Sequence, residues 1–135
     1  MANLPIFDIA GSALFAQSTR INSLASNLAN AQNVSGDPNA VYRPIEPVFA
    51  AQPVAGNPTL QGVRVLDVVQ SQAAPVKRYE PGHPQADAQG YVYAPDIDPV
   101  AQMVNLISAS RSYQASVEVL NTAKDLALAT ININR

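Results

Sequence analysis

The chain contains no cysteine among its 135 residues, which excludes a disulfide framework, thiolate zinc or iron–sulfur ligation and a cysteine nucleophile. Charge is scarce as well. Asp, Glu, Lys and Arg make up 13 % of the chain, about half the share of roughly 25 % found in ordinary soluble domains. Eight basic against ten acidic side chains leave a net charge of −2 and a pI near 5.1, so the positive field that holds nucleic acid phosphates is missing. No apolar run exceeds four residues, which rules out a transmembrane helix. The first 19 residues carry no Lys or Arg, unlike the basic start of a secretory signal. These two features predict a protein that stays in the cytoplasm or leaves it through a dedicated exporter.

Asn, Gln, Ser and Ala stand where charge is missing, and they can be buried at an interface for less desolvation cost than Lys or Glu. Disorder does not explain the composition, because disordered chains join low hydrophobicity to high net charge, whereas 47 % of this chain is apolar. Such a composition favours a subunit over a free monomer.

Charges and chain breakers divide the sequence near Val34 and Pro99. Residues 34–99 hold eleven of the eighteen charges, ten of the eleven prolines and five of the six glycines, and so cannot form a long helix. Residues 1–33 and 100–135 read as helical segments. In the first, Phe7, Ala10, Leu14, Gln17, Ile21, Leu24, Leu28 and Ala31 step by threes and fours, which predicts a helix from about Ile6 to Ala31 with Pro5 in its first turn. Its other side carries Ser12, Ser23, Asn27, Asn30 and similar residues, mediocre helix formers that need partners.

In the last segment Met103, Leu106, Ser110, Tyr113, Val117, Leu120, Lys124, Ala127 and Ile131 repeat the spacing. Asp98 and Pro99 read as N-cap and first helical residue, with Gln102 one place too late for a capping box. Ile107, Val104, Leu126 and Leu128 widen the apolar band to one side, which suggests more than one neighbour.

Between the helices, prolines at 44, 47 and 53 permit only extended or edge-strand structure over Val41–Val54. Gly62–Val69 is the better strand, with Val63, Val65 and Asp67 on one side and Arg64, Leu66 and Val68 on the other. Val76–Tyr79 and Tyr91–Tyr93 are shorter candidates. The predicted class is α+β: one structural unit of two long terminal amphipathic helices, packed together in coiled-coil fashion, with a small β-rich middle.

No constellation for chemistry emerges. His83 is the sole histidine, and Pro84 after it opposes a helix that would align it with Asp87. Asp96 and Asp98 are spaced as paired carboxylates, yet Asp98 is better used as a helix cap and Asp96 as a turn residue. Tyr42, Tyr79, Tyr91, Tyr93 and Tyr113 lie at strand and seam positions that favour core packing over ligand stacking. No catalytic, cofactor-binding or metal-ligating residue is predicted, and no cofactor. The terminal helices carry the stronger signal: they can pair with each other or join neighbours in a polymer, and their shortage of surface charge favours the polymer.

Ala25-Ser26-Asn27-Leu28-Ala29-Asn30-Ala31 resembles the N-terminal motif of the axial proteins of the bacterial flagellum, with Ser26 where many of them have a second Asn. Tyr79-Glu80-Pro81-Gly82-His83-Pro84, Ala86-Asp87-Ala88, Gly90-Tyr91-Val92, Ile107 to Ala115 and Val117 to Lys124 narrow the likeness. They resemble the proximal rod family of the flagellar basal body, over nearly the whole chain. The resemblance implies a non-enzymatic subunit, exported without a cleaved signal by the flagellar type III apparatus to build a periplasmic rod. That rod encloses the export channel and passes torque from motor to hook.

The resemblance also implies the partners: further copies of the chain, other proximal and distal rod subunits, and the adaptor at the MS ring and export gate, with no nucleic acid or small-molecule substrate. The residues expected at subunit interfaces are Phe7, Leu14, Ile21, Leu24, Asn27, Leu28 and Asn30 on the first helix. On the second they are Met103, Leu106, Ile107, Tyr113, Val117, Leu120 and Ile131. Two other classes compete: a soluble helical-hairpin binding module or export chaperone, and a peptidoglycan-cleaving enzyme resting on Glu80, Asp96 and Asp98.

Overall fold

Pro5 opens the first helix, where its missing N–H costs nothing, and Asp8 sits in the first turn where the helix dipole favours an anion. In the computed structural model, which describes residues 5–133, this helix is α1, Pro5–Asn30. There follow β1, Ile45–Val54; β2, Asn57–Gln70; β3, Val76–Tyr79; β4, Tyr91–Ala94; and α2, Pro99–Ile133. The Asp98 carboxylate accepts the Val100 N–H at 2.9 Å and the Ala101 N–H at 3.4 Å, so it caps α2 as its place before Pro99 predicts. The architecture is α+β, two long terminal helices packed together with small sheets between them in sequence.

The helices run antiparallel. At one end Asn27 Nδ2 donates to Gln102 Oε1 at 3.4 Å, and at the other Ile6 lines a groove together with Ala123. All eight periodic positions of α1 from Phe7 to Ala31 are buried or half-buried, as the spacing predicts. The Gln17 amide oxygen, caught on that stripe, is buried without a partner.

On α2 the expected seam is corrected. Pro99, Gln102, Leu106, Ala109, Ser110, Ser112, Ser116, Leu120, Ala123 and Ala127 are the buried or half-buried positions, so Leu106, Ser110, Leu120 and Ala127 lie where the spacing predicts, whereas Met103, Val117, Lys124 and Ile131 are exposed and Tyr113 is 37 % exposed. The stripe is rotated by one residue at alternate steps. Small residues explain it: Ala109, wholly enclosed, and Ala123 let the helix backbones approach, where Met103 and Val117 would hold them apart.

β1 and β2 form one antiparallel hairpin, turning at Ala55-Gly56, where Gly56 adopts φ +86°, a backbone that excludes most other residues. A bulge between Val48 and Phe49 of β1 opposes Asp67 and Val65 of β2, leaving Leu66 as the extra residue. It also ends the expected alternation, for Val63 and Val65 are half-buried but every residue from Leu66 to Gln70 is exposed. Pro47 and Pro53 fit β1 because this ribbon has only edge strands.

β3 and β4 form the second antiparallel pair, tied to the chain leaving α1 by the Ser35 N–H to Tyr93 C=O bond of 2.9 Å and its 2.8 Å reciprocal. Gly36 lies against the hairpin loop so closely that a Cβ would come 2.5 Å from the Gln85 carbonyl oxygen. Val92 and Ala94 of β4 are fully enclosed, and Ala31 and Val41, in the chain between α1 and β1, are buried as well.

Candidate assembly surface and the polar clamps behind it

Asn27 is 1 % exposed and uses its whole hydrogen-bonding capacity. Its Oδ1 accepts the Tyr42 hydroxyl and the Ile45 N–H, each at 2.9 Å. Its Nδ2 donates to the Ile45 carbonyl at 2.9 Å as well as to Gln102. The carboxamide thus pairs with both backbone groups of Ile45 as a neighbouring strand would. Ser26 Oγ lies 3.0 Å from the Tyr42 hydroxyl and completes the chain of bonds. The middle of β2 is held by Ser12, whose Oγ accepts the Val63 N–H at 3.1 Å. Asn27 and Ser12 therefore cap opposite edges of one ribbon at points roughly 22 Å apart along α1. Asn30 acts locally, donating to Ser26 C=O and accepting from Asn33, each at 2.9 Å.

The motif from Tyr79 to Gly90 is likewise structural. The Asp87 carboxylate accepts the Tyr91 N–H at 2.9 Å and the Gln89 N–H at 2.8 Å, while His83 Nδ1 accepts the Gln85 N–H at 3.1 Å. His83 and Asp87 each serve their own turn and do not form a dyad. The Tyr91 N–H, and secondarily the Gln89 N–H and the Lys77 charge, hold the Asp87 carboxyl below its usual range. A lowered folded-state pKa means that the stabilisation is complete above the ordinary Asp value of about 3.9 and is lost as pH falls through the folded value. Acid should therefore loosen the loop over residues 80–91 first, read as amide exchange below about pH 4, and Asp87→Asn should flatten that dependence.

Tyr79 is 66 % exposed, contrary to core packing, because all four residues of β3 face solvent. It meets Tyr91 edge-on at 5.1 Å, and Lys77 lies 3.9 Å above the Tyr91 ring. Tyr42 serves the Asn27 network instead of a ligand. Among the described residues no cluster of three or more His, Cys, Asp or Glu could hold a metal ion, and no helix is long and apolar enough to cross a membrane. Both His83→Ala and Asp96→Asn should leave the protein's function in the cell within about twofold of wild type, since neither side chain joins a reactive group among the described residues.

The unusual feature is the amount of apolar surface left open. The chain exposes 8878 Å², whereas a compact monomer of 14.3 kDa exposes about 6,800 Å². Val100, Met103, Val104, Ile107, Val119, Leu126, Leu128 and Ile131 of α2 are all exposed, as are Phe15 of α1 and Val48, Leu66, Val68 and Val69 of the ribbon. Only four charges, Arg111, Glu118, Lys124 and Asp125, lie along the 35 residues of α2. A helix apolar on every side belongs inside something larger.

Of the predicted interface residues, the structure exposes Met103, Ile107 and Ile131 and leaves Val117 and Tyr113 more than a third exposed. It places Phe7, Leu14, Ile21, Leu28, Leu106 and Leu120 half-buried along the two helices, and Leu24 and Asn27 inside the subunit. Phe15, the most exposed large side chain of α1 at 68 %, was not predicted because it falls off the heptad stripe; its size amid Ala and Ser was the available signal.

A helix pair with open apolar flanks and a ribbon clamped to its side has the form of an assembly subunit. Residues 88–133 match the family described as Flagellar basal body rod FlgEFG protein C-terminal. The flagellar basal-body rod protein FlgC of Escherichia coli is 55 % identical over the full length of both chains, and that of Salmonella typhimurium 53 % identical over the same span. The FlgC of Aquifex aeolicus is 36 % identical over 119 residues, 88 % of this chain and 87 % of that one. The chain belongs to the FlgC family of flagellar basal-body rod proteins. It is a structural, non-enzymatic subunit of the rod and assembles with other rod subunits.

Proposed function

We propose that this protein builds the periplasmic proximal rod, a drive shaft around the export channel, by burying the open flanks of α1 and α2 against neighbouring subunits. The observation that carries the reading is the excess of about 2,000 Å² of surface over a compact monomer, much of it apolar and spread along a nearly uncharged α2. Met103, Ile107, Tyr113, Val117 and Ile131 meet neighbours directly. Phe7, Leu14, Ile21, Leu24, Leu28, Leu106 and Leu120 hold the helix pair in the shape neighbours fit, with Asn27 and Asn30 fixing its end. Proximal and distal rod proteins and the adaptor at the MS ring and export gate are the neighbours proposed. Two clamps per ribbon, one at its base and one at the middle of β2, suit a shaft under torsion, because they stiffen its attachment to α1. Deleting the gene should leave purified membrane rings without a rod, and restoring it should return rod and hook together. Complete rods in the deletion strain would overturn the proposal.

A further inference from the structure

α1 carries two bodies that do not pack on each other. The ribbon of β1 and β2 and the helix α2 both lie along it, yet among the described residues no Cα of either strand comes within 8 Å of a Cα of α2. Between the ribbon base and α2 lies a cleft of about 210 Å³, lined by residues that include Leu24, Asn27, Glu46, Phe49, Gln102 and Asn105. Asn27 joins the two sides. Its Nδ2 gives one hydrogen to the Ile45 carbonyl at 2.9 Å and the other to Gln102 Oε1 at 3.4 Å. The second of these is the one side-chain hydrogen bond between α1 and α2 among the described residues.

A carboxamide is planar, so its oxygen and both its N–H groups turn together about one torsion. The Tyr42 hydroxyl and the two backbone groups of Ile45 set that torsion from the chain that enters the ribbon. Gln102 meets it from the other side. It stands in the first turn of α2, where its own N–H donates to the Asp98 carbonyl at 3.0 Å. Beside it stand Val100, Met103 and Val104, the exposed start of the apolar flank.

We infer that Asn27 is a coupling residue between the ribbon and the first turns of α2. Movement of the ribbon base against α1 turns the carboxamide, withdraws its N–H from Gln102 and loosens those turns, and the same link runs in reverse. The shared torsion is the element that both sides bias. The inference goes beyond the rod reading, which enters only in giving the flank around Met103 its use. The other clamp offers no such route: Ser12 bonds to Val63 and to Ile9 of its own helix, and to nothing on α2.

Amide exchange in the free full-length chain tests the coupling. Tyr42→Phe removes one partner of the carboxamide and substitutes neither Ile45 nor Gln102. It should speed exchange at Ile45 and across residues 102–106 by about threefold or more, relative to residues 116–123, which carry any general loosening. Gln102→Leu, made on α2, should in return speed exchange of the Ile45 N–H by about the same factor. Adding Tyr42→Phe to the Gln102→Leu chain should then leave residues 102–106 unchanged. Ser12→Ala should speed exchange at Val63 and leave residues 102–106 within about 1.5-fold. Three results overturn the inference: Tyr42→Phe acting at Ile45 alone, Gln102→Leu leaving the Ile45 N–H unchanged, or Ser12→Ala loosening residues 102–106 as much as Tyr42→Phe does. All are read on the free chain and leave the rod reading standing. Absence of the protein from basal bodies would instead refute that reading and leave the coupling intact.

Discussion

Asn27→Leu lowers the unfolding free energy of the isolated chain by on the order of 3 kcal/mol, read as a fall of roughly 10 °C in melting temperature. Leucine has similar volume, so the loss is not one of packing. It leaves both backbone groups of Ile45 and the Tyr42 hydroxyl without the partner that the structure gives them at 2.9 Å. Each buried group left unpaired costs about 1–3 kcal/mol. Asn27→Asp keeps the acceptor side but turns charge towards the Ile45 and Gln102 oxygens, and should be nearly as harmful. The neighbouring motif residue is the control: Asn30→Ala removes only bonds within one turn of Ser26 and Asn33, and should cost less than about 1 kcal/mol. Equal effects at the two asparagines would mean that the Asn27 bonds to Ile45 do not hold the ribbon.

The second large effect is on assembly. Leu120→Asp and Leu28→Asp each place a carboxylate on a half-buried position of the helix pair. There it stays buried at a cost of several kcal/mol or forces the helices apart. Since every copy in the rod bears that cost, incorporation into basal bodies should fall below about one tenth of wild type, with the subunit still made and soluble. Thr59→Asp, on an exposed residue near the ribbon tip, should assemble normally. Rods built at normal abundance from the Leu120→Asp protein, with Thr59→Asp failing, would reverse the assignment of helices inside and ribbon outside.

The helices were legible because a 3.6-residue period with a proline start and an Asp-Pro cap writes the same element at every level. α1 needed no correction, since its stripe has one apolar or small residue at nearly every third or fourth place. The rotation of α2 was not legible. Met103 and Val117 outrank Gln102 and Ser116 in hydrophobicity, and nothing local shows that small residues win where helices must approach while larger ones are kept for neighbours. The bulge at Leu66 and the pairing of β3 with β4 depend on partners distant in sequence. The Asn27 clamp was half visible: Asn27 stood among the residues expected at a subunit interface, but its strand-like pairing with Ile45, eighteen residues away, needed the fold. His83 and Asp87 look like chemistry in one dimension and are turn residues in three.

The central claim is that apolar flanks open in the single chain close in the rod, and cysteine accessibility tests it most directly. Val104→Cys, Ile107→Cys and Leu126→Cys each put one thiol on an exposed flank, and Thr59→Cys puts one at the ribbon tip. In the free subunit all four should react with a small maleimide at similar rates. In purified basal bodies the three flank thiols should react at least tenfold more slowly, while the ribbon thiol keeps its rate within about threefold. Flank thiols that react as fast in the basal body as in the free chain would contradict the account.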